Sequence, residues 1–484
     1  MRTTIKSLAS GRIAMMLAGA VGGVLTMAHP AFALTRTWQN TGTDFNTAVN
    51  WGGTLPGSSD TALLPSGVSV VNPDLSGNIA VQTLSIDNSG ADYSITQTGT
   101  PVLTISNSGG GITVSGGGTT NIAPEVRFAG SKIFDTGSAS LNLAGGIGII
   151  TSADNFTTLT LTNSSPVLSS AITTRDGTSS NTRTVIFDGA GSMSVSGNIA
   201  PGSGLALITI QSAKSFSGTL NLSGSNTFAT AISWRAGTLA FASDAALGGS
   251  NISVGTSSSG ATAVNILTTA AFTTNKNISF IATTNTSITV GGSQTSGTSI
   301  YSGTLNLANL VAANNGVKVT SALGGTVEFN NVISGSTTNG PITKVGAGTV
   351  KFSGANTYQG GTTISEGTLI VSGTGTLGTG GVAVSSGAVL ELDVNTAISN
   401  SATLNIATRD GSGSDKMFLN FSGNEIVGTL ILGSTTYTSG LFNATTAPAY
   451  FSGSGNILVP EPSCSLLAFA GAGSMALRRR YRRR

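Results

Sequence analysis

The chain has 484 residues, 67 of them Gly, and 8% are charged, 39% hydrophobic and 6% aromatic. So few charges do not suit a soluble cytosolic α/β enzyme, where about a quarter of residues are charged, and apolar runs throughout the chain argue against disorder. The net charge of +3 comes from the two ends: between Leu34 and Val459 there are 13 basic and 18 acidic residues, a net of −5, so the body offers no basic patch to nucleic acid.

In chain order, Arg2, Lys6 and Arg12 form a positive segment before the apolar run Ile13 to Ala28. Ala31-Phe32-Ala33 fits the small-x-small cleavage rule. Residues 1–33 therefore read as a secretory signal peptide, with Ala31 and Ala33 at the cut and Leu34 as the first mature residue. The only His is His29 and the only Cys is Cys464. A body without either excludes Ser-His-Asp and Cys-His catalysis, Cys/His zinc sites and disulfides. No cofactor is expected.

Residues 34–66, with Trp38, Phe45 and Trp51, read as an N-terminal cap. Residues 67–430 read as a repeat body. Gly218 to Val254 aligns with the segment 130 residues later at 12 of 37 positions, including Asn226 with Asn356 and Leu247-Gly248 with Leu377-Gly378. Shorter spacings carry the architecture. Val350, Leu369 and Leu390 lie 19 and 21 residues apart, each in a short alternating segment. Such segments bury one face and expose the other. Few Asn-Gly or Asp-Gly hairpin signals separate them. The spacing predicts an all-β, elongated parallel β-solenoid of about 21 coils, a rod on the order of 100 Å long. A string of β-sandwiches is the alternative. Residues 431–458, with Tyr437, Phe442, Tyr450 and Phe451, read as a C-terminal cap, since solenoid ends need covering.

Sites within the body are faint. Asn226 and Asn356 are expected at equivalent turns, bonding backbone or stacking. Glu391 and Asp393 share one strand face, an arrangement open to a hydrolase pair or a cation but more typical of a solvated surface. Gly373-x-Gly375-x-x-Gly378 matches a dinucleotide fingerprint without a following helix pattern, and Gly411 to Asp415 matches half of a single calcium-binding nonapeptide.

The C-terminus, 459–484, holds Pro460-Glu461-Pro462, a short apolar stretch from Cys464 to Leu477, and six Arg residues. This layout closely resembles the PEP-CTERM sorting signal. The resemblance implies Gram-negative export, a short transmembrane sorting helix that anchors the chain transiently at the inner membrane, and an exosortase-like processing enzyme as partner. Pro460, Glu461 and Pro462 would be its recognition element. Residues 340–373, GPITKVGAGTVKFSGANTYQGGTTISEGTLIVSG, resemble the autotransporter-associated β-strand repeat. That resemblance implies a right-handed β-helical passenger at the cell surface. The amphipathic barrel strands of a self-translocating autotransporter do not follow it. The expected function is a secreted surface or extracellular-matrix protein, adhesin-like and not an enzyme, with an exopolysaccharide or matrix polymer as its contact. A solenoid polysaccharide lyase or hydrolase is the alternative.

Overall fold

The computed structural model describes residues 33–461 apart from 107–109, 129–131, 151–157, 164–165, 175–182, 202–207, 229, 231, 256–262, 282–286, 311–315, 336–339 and 410–415. The described residues wind into a parallel β-solenoid of about 16 turns, the number of parallel strands stacked along its longest face. Its helical elements are two 3-10 turns, Ala48–Trp51 and Ala245–Leu247. None of the described helices is long and apolar enough to cross a membrane.

Three faces enclose the core. The first is a 13-stranded ladder running from Thr35–Thr37 to Ile333–Ser334. The second runs from Asp74–Leu75 through Thr219–Leu222, Ile342–Val345 and Thr362–Ile364 to Thr429–Leu432. The third comes in two pieces, a 6-stranded sheet ending at Ile199–Ala200 and an 8-stranded sheet beginning at Thr273–Thr274. Within every ladder, each strand pairs in parallel with the equivalent strand one turn away.

The alternation seen in sequence is the inside–outside pattern of each coil. Val350, Leu369 and Leu390 stack directly on one another and are all fully buried. Next to them Phe329, Phe352, Val371, Leu392 and Leu419 form a second inner row. Outward positions on the same rungs hold Thr326, Thr349 and Thr368. Stacking like on like removes apolar side chains from water at about 25 cal/mol per Å², and the parallel ladder satisfies the strand backbone.

The coil number departs from expectation, about 16 against about 21. The 20-residue spacing holds only locally, as from Ile342 to Thr362 to Val382. There the first face has no strand, and 354–361 and 374–381 run irregularly along it. Other coils are longer: Ile278, Leu305 and Ile333 are 27 and 28 residues apart, and Ile133 and Thr162 are 29 apart. At the interstrand spacing, 16 turns give a rod of roughly 75–80 Å.

The ends are closed differently. Trp38, Phe45 and Trp51 are buried in a cluster with ring centroids 4.8 to 6.0 Å apart, and the Trp51 Nε1–H donates to the Phe45 carbonyl at 2.7 Å. Thr35–Thr37 and Thr61–Leu64 are already rungs of the first face. At the other end Thr435–Tyr437 folds back antiparallel on Thr429–Leu432. Gly440–Phe442 lies antiparallel to Asn456–Val459, and Tyr437 packs on Phe442 at 4.7 Å.

Candidate functional site

Ala31 and Pro462 lie outside the described residues, while Ala33, Leu34, Pro460 and Glu461 lie within them. The cleavage and sorting residues thus fall at opposite ends of the solenoid. Ala33 and Leu34 are exposed. The Leu34 carbonyl accepts the Thr61 N–H at 2.9 Å, which starts the first rung. The Leu34 N–H donates to Asp60 Oδ1 at 3.1 Å. Asp60 Oδ2 accepts the Gly57 N–H at 3.0 Å and lies 3.5 Å from Arg36 Nε. Burial pushes the Asp60 carboxyl up, but the Gly57 and Leu34 N–H groups and the Arg36 charge outweigh it and hold it below its usual range.

At the other end Asn456–Val459 is the middle strand of a 3-stranded sheet, between Asn424–Ile426 and Gly440–Phe442. Val459 is buried, and Pro460 and Glu461 are exposed immediately after it. The Pro-Glu step therefore leaves the folded body with no slack.

Asn226 and Asn356 do bond backbone, each accepting an N–H from the preceding coil and donating to a carbonyl of the following one. Glu391 and Asp393 are joined by one residue that sequence reasoning missed: Asn420 Nδ2 donates to Glu391 Oε1 at 2.7 Å and to Asp393 Oδ1 at 3.3 Å. Burial and the Asp393 charge raise the Glu391 pKa, against the Asn420 bond. Gly373, Gly375 and Gly378 lie in a turn that leads to the strand Val382–Val384, not to a helix. Gly411 to Asp415 lies outside the described residues. Among the described residues no group of three or more His, Cys, Asp or Glu side chains could hold a metal.

Two further buried charges gave no sequence signal. Lys344 is fully buried, and its Nζ donates to the carbonyls of Val345, Gly346 and Glu366 at 3.2, 2.6 and 2.9 Å. Burial lowers its pKa to about 8. Glu425 is also fully buried and accepts the Ala397 and Ile398 N–H groups at 2.9 and 3.0 Å. Burial raises its pKa to about 7. Two shallow grooves mark the surface. One, of about 400 Å³, is rich in hydroxyls from Ser85, Thr113, Ser115 and Ser138 beside Asp135. The other, of about 310 Å³, has Gln97, Glu125 and Arg127 on its walls.

Against this geometry, the passenger-associated-transport-repeat family model matches residues 342–371. The matched segment contains the strands Ile342–Val345, Thr349–Phe352, Thr362–Ile364 and Thr368–Val371, stacked in a coil as short as that from Leu220 to Leu239. No curated protein and no solved structure matches the chain.

Proposed function

We propose that this chain is a secreted surface or matrix protein of a Gram-negative cell, adhesin-like in role, whose solenoid is the displayed part. The observation that carries this reading is the passenger-type repeat at 342–371 built into one continuous parallel solenoid. Solenoids offer long, repetitive surfaces suited to extended partners. The hydroxyl-lined groove beside Asp135 has the chemistry to contact an exopolysaccharide or matrix polymer. Right-handed winding, as the repeat resemblance implies, belongs to this reading.

In the same reading, residues 1–33 direct export and are removed before Leu34. The tail from Cys464 to Leu477 holds the chain at the inner membrane, with the Arg cluster on the cytoplasmic side. An exosortase-like membrane enzyme then processes the chain at Pro460-Glu461-Pro462. The two Pro residues keep that strip extended, and its position directly after the buried Val459 presents it at a fixed place. Glu461→Ala should leave the uncut form in the inner membrane. Intact-mass analysis of surface material tests this: mature protein lacking everything beyond the Pro-Glu-Pro region is expected, and material still carrying Arg484 overturns it. Incubation with a polysaccharide panel tests the role. Retention without reducing-end release is expected, and release would favour a hydrolase or lyase, with Glu391 and Asp393 as its first candidates.

A further inference from the structure

We infer that Asp60 is a built-in acceptor for the α-ammonium group created when the leader is cut between Ala33 and Leu34, so that cleavage converts an amide-to-carboxylate hydrogen bond at the first rung into an ion pair. The inference rests on the cleavage reading above.

Hydrolysis breaks the Ala33–Leu34 C–N bond. The water oxygen joins the Ala33 carbonyl carbon, which leaves as a carboxylate. The Leu34 nitrogen takes up protons and becomes an ammonium. That nitrogen already stands 3.1 Å from Asp60 Oδ1, so the charge appears in place and no rearrangement is needed. The acceptor is fixed before the cut. Asp60 is only 8% exposed. Its second oxygen is held by the Gly57 N–H, and its carbonyl accepts the Gln82 N–H at 2.8 Å from the next rung. Leu34 itself is tied to the ladder by the Thr61 N–H. Ala33 and Leu34 are exposed, so the scissile bond is open to a peptidase. The charged group facing Asp60 is the Arg36 guanidinium, 3.5 Å from Oδ2. It shares the carboxylate and leaves Oδ1 to the new amine. Because Thr35–Thr37 is the edge of the first face, the ion pair would pin the solenoid's open end only in the processed protein.

The test uses mature protein recovered from exporting cells. Intact mass and N-terminal sequencing establish the first residue. The α-amine is then titrated through the pH dependence of its acylation, read on the N-terminal peptide. The expected result is Leu34 at the N-terminus with a half-reaction pH about 0.5–1 unit above the ordinary α-amino range of about 7.7–8.0. The shift should shrink in about 1 M salt, fall to the ordinary range in Asp60→Asn and persist in part in Asp60→Glu. If Asp60→Asn fails to fold, the wild-type titration still decides. A Leu34 amine that titrates in the ordinary range overturns the inference and leaves the cleavage reading standing. A different N-terminal residue overturns both.

Discussion

Asn226 and Asn356, 130 residues apart, make the same two bonds across three consecutive coils. Asn356 Oδ1 accepts the Ile333 N–H at 2.8 Å and its Nδ2 donates to the Thr376 carbonyl at 2.8 Å. Asn226 accepts the Ile199 N–H at 2.6 Å and donates to the Ala246 carbonyl at 2.5 Å. In each case the N–H belongs to the final strand of a sheet, Ile199–Ala200 on the third face and Ile333–Ser334 on the first. The amide replaces the next rung and satisfies a donor that the ended ladder leaves over. A side chain offering an acceptor and a donor together is what the position needs.

Asn356→Ala should therefore cost about 1–3 kcal/mol through the unpaired Ile333 N–H and Thr376 carbonyl. Asn356→Asp keeps the acceptor and loses the donor, so it should fall in between. Denaturation midpoints measure the cost. Hydrogen exchange should accelerate first at Ile333, and unchanged exchange there would count against the capping role.

Leu369 is fully buried between Val350 and Leu390. Leu369→Ala should destabilise by about 2–5 kcal/mol. Each coil touches mainly its neighbours, so the loosening should stay within the adjacent turns. Exchange that rises equally along the whole chain would contradict a quasi-linear solenoid.

Two glycines separate backbone strain from crowding. Gly378 has φ +74°, and a Cβ there would sit 2.4 Å from the Tyr358 carbonyl oxygen. Gly387 has φ +76° with nothing within 4 Å. Ala at 387 meets only the left-handed penalty, about 1–2 kcal/mol. Ala at 378 must also displace backbone and should cost at least about twice as much. Equal thermal shifts for the two variants would show that the coils yield freely.

Glu425 sets a pH dependence. Its pKa in the folded protein, about 7, lies above the ordinary 4.5. Below about 4.5 both states hold the proton. Between about 4.5 and about 7 the unfolded chain releases it while the folded chain keeps it, so stability falls as pH rises and then levels off. Glu425→Gln should flatten that slope, although it gives up one of the two bonds to Ala397 and Ile398. Melting temperatures of both proteins across pH 4 to 8 check this, and parallel curves would rule the residue out as the source.

The sequence by itself determined the rung. Alternation around Val350, Leu369 and Leu390 identifies inward side chains because strand periodicity is local, and scarce hairpin signals favour parallel stacking over β-sandwiches. It also marked Asn226 and Asn356 as equivalent, because their bonds are made within one repeated unit. Three-dimensional winding decided what depends on summed coil lengths. The copy starting at Gly218 places Thr219–Leu222 and Gly237–Phe241 on the second face, whereas the copy starting at Gly348 places Thr349–Phe352 and Thr368–Val371 on the third. The same unit is thus turned by one face, since coils of 20 to 29 residues lie between and around the two copies. That winding also brings Asp60 to Leu34, Asn420 to Glu391, and Glu425 to Ala397, over separations of 26, 29 and 28 residues. No fixed period encodes those meetings: each partner lies one irregular coil away, and the loops between them set where it lands.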